Sequence, residues 1–153
     1  MFYVLVLLLG ITAGLRAATP LAAVCIGAAL GWIDLSGTWA AFAGNIVVAV
    51  IIAILAIVEL VTDQLPQTPS RKVPPQFAAR VISGAVAGLV VGLPTGNWIP
   101  GLIIGAIGAV LGTLGGAEAR KRLAEAFGRD LPAALLEDAV AIIVAFLSVY
   151  WIA

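Results

Sequence analysis

The stretch GITAGLRAATP, residues 10–20, sits between two almost purely apolar runs, MFYVLVLLL before it and LAAVCIGAALGW after it. Arg16 is the one charged residue in the first 33 positions. A guanidinium in the middle of a bilayer costs about 2.5–3.5 kcal/mol on insertion scales, so an arginine in a lipid-embedded segment faces protein or water. As one uninterrupted helix the two runs would be about 48 Å long at 1.5 Å per residue, too long for a simple crossing of about 30 Å. Gly14 and Pro20 bracket the expected break, because proline cannot continue a helix through its own first turn upstream.

The rest of the chain has the same character. Mean hydropathy is +1.17, 63% of residues are hydrophobic and 10% are charged. A soluble domain carries about 25% charged residues. The chain is therefore read as one integral membrane domain, residues 1–153, whose first partner is the lipid bilayer. Eight basic residues balance eight acidic ones, so no basic field invites nucleic acid. There is no histidine, and the single Cys25 lies in an apolar run. Neither a metal centre nor an internal disulfide is expected, and Cys25 reads as a small packing residue. No basic residue precedes the first apolar run, so residues 1–19 lack the charged start of a cleaved signal peptide.

Six apolar segments appear at 2–15, 18–33, 40–62, 77–93, 99–116 and 131–152. The expectation is an all-α polytopic bundle of five or six spans, five if the first two segments do not cross separately. Two stretches are polar. TDQLPQTPSRKVPPQ, residues 62–76, contains Pro66, Pro69, Pro74 and Pro75 and reads as a loop. EARKRLAEAFGRD, residues 118–130, places Leu123, Ala126 and Phe127 on one helical face and reads as a short amphipathic helix in the interface. Arg71 and Lys72 lie in the first stretch, and Arg120, Lys121, Arg122 and Arg129 in the second. The excess of Lys and Arg puts both on the cytoplasmic side of a bacterial inner membrane. The turn LPTGNWIPG at 93–101, the turn around Asp34 with Trp32 and Trp39, and the N-terminus then fall outside.

Glycines recur at helical spacing: Gly10 and Gly14 in the first segment, Gly84, Gly88 and Gly92 in the fourth, Gly105, Gly108, Gly112 and Gly116 in the fifth. In lipid, close backbone approach through small residues drives helix association. These glycines are therefore expected to face one another. LGITAGLRAATPLA at 9–22 also aligns without gaps to LGTLGGAEARKRLA at 111–124, setting Arg16 opposite Glu118. A two-fold internal repeat is one reading of this match; chance among small residues is the other.

The segments that are distant in sequence bring ionisable groups to one level. On the topology above, Arg16, Glu59, Asp63, Arg80, Glu118, Glu137 and Asp138 all fall near the cytoplasmic face. Five carboxylates against two guanidiniums favour a cation or proton as guest in a half-buried polar chamber. The plainer alternative is a set of interfacial charges that snorkel or pair and hold helix ends. No phosphate-binding glycine loop and no zinc-protease motif is present, and without histidine no Ser-His-Asp triad forms. No enzyme and no cofactor is expected.

GLRAATP at 14–20, ELVTDQLPQTPSR at 59–71, ARVISGAVAG at 79–88 and GRDLPAALLEDAVAI at 128–142 together carry a resemblance. The chain resembles, over essentially its whole length, the bacterial membrane protein family catalogued as domain of unknown function 4126. The resemblance implies an integral membrane protein and carries over no catalytic residue. The functional expectation is a small, homo-oligomeric transporter or channel-like protein for a small solute or cation. The alternative is an accessory scaffold that binds partner helices or lipid.

Overall fold

The computed structural model describes residues 1–65, 67 and 70–153. Among them are six α-helices and no strand: α1 (Phe2–Leu15), α2 (Ala18–Ala29), α3 (Ile46–Thr62), α4 (Pro74–Gly92), α5 (Trp98–Phe127) and α6 (Asp130–Ile152). A 3-10 turn, Ala41–Gly44, leads into α3. Three helices, α4, α5 and α6, are long and apolar enough to cross a membrane; α1, α2 and α3 are apolar but shorter.

Pro20 explains the first boundary. Its ring has no N–H and would clash with the carbonyl four residues earlier, that of Arg16. Arg16 accordingly leaves the helix in an extended conformation, φ −143° and ψ 114°, and α2 starts two residues later. Of the four prolines expected to form a loop, Pro66 and Pro69 lie outside the described residues. Pro74 and Pro75 instead open α4, where a missing N–H leaves no hydrogen bond unmade. The fourth segment thus starts earlier than its hydropathy suggests.

A second difference concerns residues 118–130. The amphipathic stretch is not a separate helix lying in the interface but the end of α5, which runs unbroken for 30 residues. Nothing between Gly116 and Gly128 interrupts the backbone ladder, so the helix carries on for about 45 Å, more than the roughly 30 Å of a simple crossing. It stops at Gly128, whose φ of 69° only glycine adopts at little cost. Arg129 is extended, and α6 turns back at once.

The close approaches give the helix directions. A methyl group added at Gly84 would fall 2.6 Å from the Gly105 carbonyl oxygen, and one at Gly92 would fall 2.5 Å from that of Asn97. Hence α4 and α5 form an antiparallel hairpin. Gly10 abuts Gly105, while Gly14 abuts Gly112 and Thr113, so α1 runs parallel to α5. Gly116 adjoins the side chains of Leu15, Arg71 and Glu137. On the other side, Ile26 of α2 and Leu30 just after it lie beside Ile46 and Val50 of α3, and Gly27 touches Val149 of α6. The six helices therefore alternate in direction.

One end of the bundle gathers the α2–α3 connection, the α4–α5 turn and both termini. There the Tyr3 hydroxyl donates to Asn97 Oδ1 at 3.3 Å, and the Trp32 and Tyr150 rings meet edge to face at 5.3 Å. Asp34 Oδ1 accepts the Ser36 hydroxyl at 2.6 Å and its N–H at 3.0 Å, which holds the exposed carboxyl below the ordinary carboxylate range. The outer surface is apolar: α3 buries only Ala49 and Ala56 and turns Ile51, Ile54, Leu55 and Val58 outward. An exterior of this kind suits lipid as the solvent.

The two stretches that align as a repeat take different forms. Residues 9–22 contain the α1–α2 break, whereas 111–124 lie inside α5. Arg16 is fully buried and Glu118 is exposed.

Candidate functional site

The opposite end of the bundle is where α1 stops. A terminating helix leaves its last carbonyls without partners, and these carry partial negative charge. Two arginines meet them. Arg16 Nη1 donates to the Leu15 carbonyl at 2.8 Å, and Arg80 Nη1 donates to Leu15 at 2.7 Å and to Gly14 at 3.2 Å. The start of α2 presents the reverse, free N–H groups with partial positive charge. Glu59 takes both: the Ala17 N–H donates to Oε1 and the Ala18 N–H to Oε2, each at 2.7 Å. The Ser83 hydroxyl donates to the Ala17 carbonyl. The break is thus held by side chains from α3 and α4.

From this junction a lattice of ion pairs spreads. Arg16, 0% exposed, donates from Nε to Asp138 Oδ1 at 2.6 Å and lies 3.4 Å from Glu137 Oε2. Asp63 Oδ2 is shared between Arg16 Nη1 at 3.3 Å and Arg80 Nη2 at 3.1 Å. Arg80, 2% exposed, also stands 4.0 Å from Glu59. Gln64 Nε2 donates to the second oxygen of Asp138 at 3.0 Å. Arg71 grips Glu137 through two parallel bonds of 2.6 and 2.9 Å. Arg120 does the same to Asp130, at 2.9 and 2.6 Å, and reaches to 3.6 Å from Glu137. Paired N–H···O bonds of this fork geometry are the strongest that arginine makes.

The depth of the lattice follows from helix position. Arg80 is six residues into α4 and Glu137 seven into α6, about 9–10 Å inside the helix ends at 1.5 Å per residue. Burying charge at that depth demands compensation. The lattice supplies it by pairing nearly every charge with another.

The profile of the family described as Domain of unknown function (DUF4126) matches residues 3–151. The chain belongs to the DUF4126 family. No curated protein and no solved structure matches it.

In this DUF4126 protein, six of the seven residues singled out from the sequence meet: Arg16, Glu59, Asp63, Arg80, Glu137 and Asp138. Glu118 does not. It is exposed and pairs with Arg122 one turn on, at 2.8 Å. The reason is helical phase. Gly112, Thr113 and Gly116 face the bundle, and Arg120, four residues past Gly116, shares their side. Glu118 is about 200° away from Gly116.

Four residues of the DUF4126 lattice escaped the sequence reading: Arg71, Arg120, Gln64 and Asp130. The signal was the apparent surplus of carboxylates, since unpaired buried acids are untenable and call for cations nearby. Exchanging Glu118 for Asp130 and adding Arg71 and Arg120 leaves five carboxylates facing four guanidiniums. The preference for a cation, which rested on five against two, loses its basis.

Proposed function

We propose that this protein is a small, non-enzymatic transporter of the bacterial inner membrane, and that the arginine–carboxylate lattice closes its cytoplasmic end. One observation carries the reading: all six helices contribute to the lattice, α2 through its backbone N–H groups. Replacing a buried ion pair by apolar residues is often neutral or stabilising by about 1–4 kcal/mol. A lattice of this size is a poor device for stability alone. As a gate it has a purpose, because bidentate pairs break and re-form as helices tilt. The broken helix supports the same reading. Discontinuous helices with opposed partial charges line solute sites in many transporters.

In this reading all six helices cross the membrane, with the glycine faces of α1, α4 and α5 as the rigid seam. The shorter α1 ends at the depth of the lattice, inside the bilayer. The near balance of charge favours a polar or weakly charged solute over a bare cation. A chain of 153 residues has little room to enclose a path alone, so a homo-oligomer is proposed, joined through the apolar outer face of α3.

The test is flux. Purified protein in liposomes is expected to pass a solute or protons faster than empty liposomes, and Glu137→Gln is expected to change that rate at least several-fold. Wild-type flux equal to that of empty liposomes, across a broad solute panel and under a proton gradient, overturns the reading. The near-neutral, closely paired lattice favours a second one, an accessory scaffold that binds lipid or partner helices. That scaffold would show no flux and would withstand Glu137→Gln without gaining a leak.

A further inference from the structure

All eight basic residues of the chain belong to the lattice end, and five of them pair with acids: Arg16, Arg71, Arg80, Arg120 and Arg122. The other three, Lys72, Lys121 and Arg129, are exposed and make no ion pair among the described residues. Of the exposed carboxylates at this end, Glu118 is held by Arg122 and Asp130 by Arg120. That leaves Glu125 as the one free carboxylate against three free cations. The lattice itself makes no use of these three.

Their setting supplies a direction, because each adjoins exposed apolar surface. Lys121 is seven residues past Leu114, which places it over the same helix face about 10 Å further along the axis. Leu114 and Leu111 both turn outward there. Gly115 beside them carries no side chain, and an added methyl group meets nothing within 4 Å, so the face between leucine and lysine is open. Lys72 comes to this part of α5 as well, near enough to Glu118 to act on its charge. Arg129 stands in the α5–α6 turn, between the outward-facing Phe127 and Leu131.

We propose that this rim is a docking surface for anionic phospholipid, with headgroup phosphates on Lys72, Lys121 and Arg129 and acyl chains along Leu111, Leu114 and Leu131. The proposal rests on α5 crossing the bilayer, as read above, and not on transport. A crossing takes about 30 Å of the roughly 45 Å of α5, so its last turns run through the headgroup layer. Long cationic side chains at that level keep their stems on apolar surface and their charge among the phosphates. A zwitterionic headgroup brings its own ammonium and gains little from them. A headgroup of net negative charge gains a factor of about five for each cation near the surface. Glu125 opposes the attraction, but it lies one turn past Lys121, further from the apolar face.

The test is competition between lipids. Purified protein in an uncharged detergent is given equal amounts of phosphatidylglycerol and phosphatidylcholine with matched chains, and the retained lipid is read by native mass spectrometry. Phosphatidylglycerol is expected to be favoured at least tenfold at about 0.05 M salt and no more than about twofold at about 0.5 M, where screening is strong. The triple variant Lys72→Gln, Lys121→Gln, Arg129→Gln is expected to lose the preference. Its thermal midpoint without lipid should match the wild type, because none of the three has an ion-pair partner to lose. Glu125→Gln, which removes the opposing charge, is expected to raise the preference several-fold. Equal retention of the two lipids by the wild type overturns the proposal. An undiminished preference in the triple variant overturns it too and moves the lipid contact elsewhere. Inorganic phosphate that raises the thermal midpoint as much as phosphatidylglycerol does would reveal a site for free anions and overturn the lipid assignment. Retention is measured without a membrane gradient, so its failure and the absence of flux are separate results.

Discussion

At the scale of single residues the protein turns on Arg16. It is fully buried, and its guanidinium touches acids from α6 and from the end of α3. Removing one partner of such a pair strands the others in a low-dielectric setting, at about 3–5 kcal/mol. Arg16→Ala is accordingly expected to lower the thermal midpoint in detergent sharply. The double change Arg16→Met with Asp138→Leu should be far milder than the sum of the two singles, since it removes both charges together. Additive losses would show that the pair is not coupled. Arg16, Glu137 and Asp138 were legible in the sequence because each interrupts an apolar run. Arg71 and Arg120 were not. They sit among other charges, and no local pattern distinguishes the arginine that turns inward from the one that turns to water.

At the scale of elements, the six apolar segments correspond to six helices, and the differences lie at their ends. Hydropathy marks where a helix leaves oil, not where its hydrogen bonds stop. That is why α4 begins at Pro74 and α5 reaches Phe127. Two glycines of α5 make a paired test of packing. Gly105 abuts the backbone of Gly84, whereas an added methyl group at Gly115 meets nothing within 4 Å. Gly105→Ala is expected to cost about 1–3 kcal/mol or more through overpacking. Gly115→Ala should stabilise by about 0.5–1 kcal/mol, the ordinary gain of alanine in a helix interior. Thermal unfolding of the two variants in the same detergent checks both signs, and equal shifts would contradict the close approach.

At the scale of the whole molecule, alternating directions place every charge of the lattice at one end and the aromatic turns at the other. Arg71, Lys72 and the basic tail of α5 share the lattice end. Cysteines introduced at Gly37 and Thr95, in a Cys25→Ser background, are expected to react with a membrane-impermeant maleimide from outside intact cells. Cysteines at Lys121 and Glu125 should react only after the membrane is opened. Labelling of all four from one side would break the six-crossing arrangement. The scaffold and transporter readings agree on this topology and part only on flux.

The linear chain already specified an apolar all-helical protein, its breaks at Pro20 and Gly128, and the gathering of six of the seven singled-out charges at one end. Those properties are sums over neighbouring residues: hydropathy, length and turn chemistry are local. Folding in three dimensions chose which guanidinium meets which carboxylate, put Glu118 outside and Arg120 inside, and seated Glu59 on the start of α2. Such pairings depend on how far each helix is rotated about its own axis. That rotation is set by backbone contact between helices distant in the chain, so no single segment encodes it.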